Sequence, residues 1–166
     1  MQNITLKGKP VTVSGTLPKV GSPAPNFTLV ANDLSEVQLN TFDGNDIILN
    51  VFPSIDTATC ALSVKQFNQK AASLSENIKV LCISRDLPFA QSRFCGAQDI
   101  KNVISLSDFR TGNFGNSYGL NISSGPLSGL LARAVVLIDK NGTIKYTELV
   151  SEVSNEPNYE EVFKYL

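Results

Sequence analysis

Ile47-Ile-Leu-Asn-Val-Phe52 is apolar at every position but one, and it stops at Pro53. An unbroken run of this length, too short for a helix and ended by proline, reads as a buried strand. Ile78–Ile83 and Ala134–Ile138 read the same way, and Ala134–Ile138 is the most apolar of the three. Between and around these runs, apolar residues at Leu62, Val64, Phe67 and Ala71 suit an amphipathic helix from about Ala61 to Leu74, and Phe89–Cys95 suits another starting near Pro88. Strands alternating with helices require a sheet with helices on its faces.

The remaining segments fill in that picture. Ile4–Leu6 and Val11–Val13 alternate apolar with polar around Lys7-Gly8-Lys9-Pro10, a hairpin pattern. Residues 17–26 hold three prolines and a glycine and form an extended connector. Short strands are predicted at Phe27–Val30, Val37–Leu39 and Asn102–Leu106, and a short helix at Phe114–Tyr118 within the glycine- and serine-rich stretch Gly112–Gly129. Ala134–Ile138 and Thr143–Val150 flank an Asn-Gly pair and form a second hairpin, and Pro157–Tyr165 closes the chain as a helix. These elements predict an α/β protein with a mixed central sheet flanked by helices and an N-terminal β-hairpin. The thioredoxin-like fold fits best. A flavodoxin-like sheet fits less well, because no phosphate-cradling glycine loop follows an early strand.

Residues 1–166 are expected to form one domain, since a chain of this length buries about 70% of its unfolded surface. A formal charge of −1, with no dense basic run, argues against nucleic acid or an anionic membrane as partner. The N-terminal segment lacks the apolar core of a signal peptide, so a cytoplasmic protein is the expectation. With no histidine, Ser-His and Cys-His hydrolases and imidazole-ligated zinc are excluded. Three cysteines fit neither a four-thiolate metal site nor a purely structural disulfide framework. The available chemistry is that of thiols, hydroxyls, carboxylates, Arg and Lys.

Within those limits Cys60 stands out, because it falls where the strand ending at Phe52 passes into a helix. A thiol there meets unpaired backbone N–H groups and the positive end of the helix dipole, which favour its thiolate. Thr57, three residues earlier, is placed for its hydroxyl to reach the sulfur, or alternatively to cap the helix. Arg133 heads the most apolar strand, where an unpaired guanidinium would be costly and an anionic partner is expected. Cys95 lies in a partly polar segment, Ser92-Arg-Phe-Cys-Gly96, whereas Cys82 sits inside a core strand and reads as a small hydrophobe.

Pro53-x-x-x-Thr57-x-x-Cys60 resembles the active-site signature of the peroxiredoxins. The strings Phe52–Thr57 and Ala90–Gly96, with Gly8–Val13, Val80–Ser84, Gly129–Ala134 and Glu156–Glu160, resemble the thiol peroxidase branch over nearly the whole chain. Thr59 stands where many peroxiredoxins have valine, a near-isosteric change of no expected consequence. The resemblance implies that Cys60 is the peroxidatic cysteine and Cys95 the resolving one, joined in a disulfide after turnover. It implies that Thr57 and Arg133 bind and polarise the peroxide, and that Pro53 shields the site. It further implies a hydroperoxide substrate, thioredoxin as reductant, a homodimer, and no metal, haem or flavin. The competing expectations are a redox-sensing thiol switch, a thiol–disulfide oxidoreductase (which lacks its C-x-x-C motif here) and an interaction domain without chemistry.

Overall fold

In the computed structural model, which describes residues 1–166, the chain forms β1 (Gln2–Leu6), β2 (Lys9–Ser14), β3 (Thr28–Ala31), β4 (Glu36–Gln38), a 3₁₀ turn (Leu39–Phe42), β5 (Asp46–Val51), α1 (Ala58–Ala71), β6 (Ile78–Ser84), α2 (Pro88–Ala97), β7 (Ile104–Ser107), α3 (Asn113–Tyr118), β8 (Asn121–Ile122), β9 (Ala134–Ile138), β10 (Ile144–Leu149) and α4 (Tyr159–Phe163). The three unbroken apolar runs are the neighbouring strands β9, β5 and β6 of a seven-stranded mixed sheet ordered β10-β9-β5-β6-β7-β3-β4. Strand β5 runs parallel to β6 and antiparallel to β9. Alternation then divides their side chains between two cores. Leu49, Val51, Leu81, Ile83, Ala134 and Val136 join the larger cluster, which the β1–β2 hairpin covers through Ile4, Val11 and Val13. Ile48, Val80, Val135 and Leu137 face the other way, toward Phe67 of α1 and Val162 of α4.

The predicted elements all form, with shifts at their ends. Helix α1 begins at Ala58 rather than Ala61, because Thr57 takes the extended N-cap conformation (φ −105°, ψ 147°) and Ala58 and Thr59 join the first turn. Cys60 therefore lies inside that turn. Strand β7 starts only at Ile104, since the backbone amides of Lys101 and Asn102 donate to the Asn68 side chain of α1 instead of a strand. Helix α4 starts after Pro157, capped by Asn158, whose side chain accepts from the Glu161 amide. The two-residue strand β8, paired with β2, is too short for periodicity to reveal.

Register has two consequences at the C-terminal end of β5. Val51 pairs with Ala134, so Arg133 is brought alongside the exit of the strand. Asn50 pairs with Cys82, which places that thiol under α1.

Helix α3 ends at Gly119, in the left-handed conformation (φ +64°) and packed so closely on Thr16 that a Cβ would overlap the Thr16 backbone. Gly119→Ala combines backbone strain with that overlap and should cost roughly 2–4 kcal/mol. Urea denaturation checks this: the midpoint should fall with little change in slope.

Candidate active site at the end of strand β5

The loop leaving β5 is held by one carboxylate to which no sequence motif points. Asp86, just after β6, accepts from the Ser54 hydroxyl (2.7 Å), the Ile55 amide (2.7 Å) and the Ser84 hydroxyl (2.6 Å). The chain then enters α1, whose first intrahelical bond runs from the Ala61 amide to the Thr57 carbonyl (2.9 Å). The amides of Ala58, Thr59 and Cys60 precede that bond and have no intrahelical acceptor. Ser63, one turn on, donates to the Cys60 carbonyl (2.8 Å) and accepts from Asn50 Nδ2 (3.3 Å). Cys60 is thus fastened from both sides, and its side chain is buried at 1% exposure.

Arg133 Nη2 approaches Cys60 Sγ at 3.4 Å, and the guanidinium is itself 1% exposed. Its remaining bonds go to one neutral group: Nε (3.0 Å) and Nη2 (2.9 Å) both donate to the Val153 carbonyl. Nη1 is buried without a partner, and Arg133 takes part in none of the ion pairs of the fold. A charge buried without a carboxylate is costly. The site therefore carries a cation and a free donor beside a thiol at the positive end of a helix.

Cys60, Arg133, Pro53 and Thr57 line one cavity of about 630 Å³, and Leu6, Leu127 and Val153 give it apolar walls. Pro53 is buried at that wall. Thr57 departs from the sequence expectation in one respect. Its hydroxyl donates to the Ser54 carbonyl (2.9 Å) and neither bonds the Cys60 sulfur nor caps α1. The extended N-cap backbone turns the hydroxyl back into the loop, and its lone pairs stay available at the cavity wall. The Thr59 hydroxyl is not idle: it donates to the Ser154 carbonyl (3.1 Å), a bond valine cannot make.

The three cysteines are free, and all three belong to one apolar cluster. Cys60 and Cys82 sit within it among Phe52, Val64 and Ile100, and the half-buried Cys95 packs against its margin. Cys95 Sγ lies 3.3 Å from Ser105 Oγ on β7. Cys82, fully buried, receives a weak contact from Asn50 Nδ2 (3.6 Å). Burial, aided by the Cys95 charge and opposed by Asn50, pushes the Cys82 thiol up to about 12. Four of the residues singled out in the sequence, Pro53, Thr57, Cys60 and Arg133, line this one cavity. Sequence reasoning missed the groups that orient them, because Asp86 and the carbonyls of Val153 and Ser154 act through bonds that no local pattern records.

A mixed thioredoxin-like sheet, with a cysteine in the first turn of the helix after its central strand, defines a class of thiol-based redox proteins. The sequence matches the Redoxin family over residues 19–163. It is 51% identical to the thiol peroxidases of Mycobacterium bovis and Mycobacterium tuberculosis over 160 residues, 96% of this chain and 95% of theirs. In structure it resembles a peroxiredoxin-like protein from Aquifex aeolicus (TM-score 0.93, 42% identity, 99% of this chain and 95% of that one). It also shares the fold of the thiol peroxidase from Chromobacterium violaceum (TM-score 0.89, 23% identity, 98% and 93% covered). The chain belongs to the redoxin family, in its thiol peroxidase branch.

Cys82 gives a pH-dependent test of this arrangement. Its thiol titrates at 9.0 when unfolded and at about 12 when folded. Above pH 9 the unfolded state therefore loses a proton that the folded state keeps, and stability falls as pH rises. Relative to Cys82→Ala, the wild type should lose up to about 1.4 kcal/mol per pH unit above that point. Denaturant titrations across the alkaline range measure the difference, and a constant gap between the two proteins would contradict the burial of this thiol.

Proposed function

We propose that this protein reduces hydrogen peroxide and organic hydroperoxides, with Cys60 as nucleophile, Cys95 as resolving thiol and thioredoxin as the dithiol reductant. The observation that carries the reading is the buried Arg133 guanidinium, free of any carboxylate and 3.4 Å from Cys60 Sγ. An anionic sulfur is the partner that offsets such a burial. The apolar cavity beside it, about 630 Å³, has room for an alkyl group on the peroxide as well as for hydrogen peroxide.

In this scheme the Cys60 thiolate attacks the terminal oxygen of ROOH. The S–O bond forms as the O–O bond breaks, RO⁻ leaves and takes a proton, and Cys60 becomes a sulfenic acid. The Arg133 guanidinium, whose Nη1 has no partner, and the first-turn amides of α1 stabilise the charge that develops on the oxygens in this scheme. Thr57, whose own proton is engaged by Ser54, accepts a hydrogen bond from the peroxide O–H and so selects its orientation. Cys95 then displaces the hydroxyl of the sulfenic acid as water, giving a Cys60–Cys95 disulfide, and a thioredoxin dithiol reduces it. This cycle belongs to antioxidant defence in the cytoplasm, and the active unit is a homodimer by analogy with peroxiredoxins.

Peroxide-dependent NADPH oxidation through thioredoxin and its reductase tests the assignment. Cys60→Ser should abolish it, and Cys82→Ser should retain most of it. Cys95→Ser should still consume one equivalent of peroxide per Cys60 without turning over. Turnover by Cys60→Ser would remove the nucleophile from this scheme.

Forming the disulfide would take Cys60 away from Arg133 and Cys95 away from Ser105, and it needs Cα atoms about 4.4–6.8 Å apart. Oxidation should unwind the first turn of α1, the end of α2, or both. Hydrogen exchange should be faster in the disulfide form at peptides covering Thr57–Val64 and Phe89–Gln98. Equal protection in both states, with the bond verified by peptide mapping, would show that it forms within the folded arrangement.

A further inference from the structure

The β1–β2 hairpin turns through Lys7 (φ +51°) and Gly8 (φ +78°), the two-residue turn with both central residues left-handed. Such a turn leaves two adjacent backbone amides pointing outward, and both point at one carboxylate. Glu152 accepts from the Lys7 amide (2.8 Å), the Gly8 amide (3.0 Å), the Thr5 hydroxyl (2.6 Å) and the Ser154 amide (3.1 Å). The backbone repeats the tie on either side of Glu152: the Thr5 amide donates to Ser151 and the Val153 amide to Thr5. The very next residue, Val153, offers the carbonyl that receives Nε and Nη2 of Arg133. Ser154 then offers the carbonyl that receives Thr59 of the α1 first turn.

We propose that Glu152 is a positioning residue for Cys60: its carboxylate locks the hairpin turn to segment 151–154 and so fixes the Val153 carbonyl that aims Arg133 at the sulfur. A side-chain carboxylate on Arg133 would orient it equally well but would cancel its charge. A carbonyl orients without neutralising, and a carbonyl can only be placed by holding its backbone. Glu152 does the holding at one remove, so the full charge of Arg133 is left for sulfur and peroxide. The Thr5 hydroxyl first, and then the amides of Gly8, Ser154 and Lys7, hold the Glu152 carboxyl well below the usual carboxylate range, so the lock stays closed at neutral pH. Glutamine at this position could accept from only part of the donor set and would turn its own NH₂ toward the rest. The same clamp shapes the cavity, since Leu6, Lys7 and Lys9 of the hairpin form one of its walls.

The proposal rests on the assignment of Cys60 as the reactive thiol, so its test uses two readouts on the full chain. One is the rate of Cys60 alkylation by iodoacetamide, and the other is the single-turnover rate of Cys60 oxidation by hydrogen peroxide. Glu152→Ala and Glu152→Gln are each measured alone and combined with Arg133→Ala, with thermal melts to verify folding. If Glu152 acts through Arg133, each variant should slow both reactions by about tenfold in the wild-type background and by less than about twofold once Arg133 is gone. Should Glu152→Ala fail to fold, Glu152→Gln alone decides. Unchanged rates, or the same loss in both backgrounds, would overturn the proposal. Coupling in alkylation with no peroxide reaction would uphold the clamp and overturn the peroxidase assignment of Cys60 instead.

Discussion

A guanidinium taken fully out of water without a carboxylate is the constraint around which this site is built. Arg133 is 1% exposed and paired only with the Val153 carbonyl and the Cys60 sulfur. Burying such a charge works against folding unless an anion offsets it. The fold supplies the position by register, because pairing Val51 with Ala134 leaves Arg133 beside the exit of β5. It sets a thiol against that cation in the first turn of α1, where the amides without intrahelical acceptors also lie. Strand, helix and cation are therefore one device, and the loop from Pro53 to Thr57 has to connect them without slack.

One carboxylate holds that loop and another holds the hairpin beside the site, and neither touches the sulfur. Asp86 gathers Ser54, Ile55 and Ser84 from below, and Glu152 gathers the hairpin turn from above. The division makes electrostatic sense. A carboxylate directly on Arg133 would neutralise the buried cation, and both acidic groups bond backbone amides and hydroxyls instead. Thr59 belongs to the same scheme, its hydroxyl tying α1 to the Ser154 carbonyl at 3.1 Å.

Much of this architecture is legible in the sequence. Unbroken apolar runs identify β5, β6 and β9 because strands covered on both faces leave no alternation to misread. Arg133 can be named because it heads an apolar strand where an unpaired charge is costly, Cys60 because it falls at a strand-to-helix junction, and Pro53 through the family resemblance. Element ends are less legible, since they depend on tertiary partners: Asn68 capturing the amides of Lys101 and Asn102 delays β7, and no pattern within residues 101–104 says so. The role of Thr57 is half legible. Spacing brings its hydroxyl near the site, but the extended N-cap backbone, which commits its proton to Ser54, is a property of the folded loop. Glu152 and Thr59 are invisible because their partners lie far away in sequence, and an exposed-looking glutamate or a threonine in place of valine carries no local signal.

The three thiols of one apolar cluster meet different surroundings. Cys82 sits in apolar surroundings with a weak contact from Asn50, and burial outweighs that contact and pushes its thiol up. Cys60 is as deeply buried, yet the Arg133 guanidinium and the first turn of α1 lie beside its sulfur. Cys95 sits at the margin, half-buried against the cluster, with the Ser105 hydroxyl as the polar contact of its sulfur. Between the equally buried Cys60 and Cys82 the difference is what each sulfur meets, and the β5–β9 register and the α1 first turn set that for Cys60.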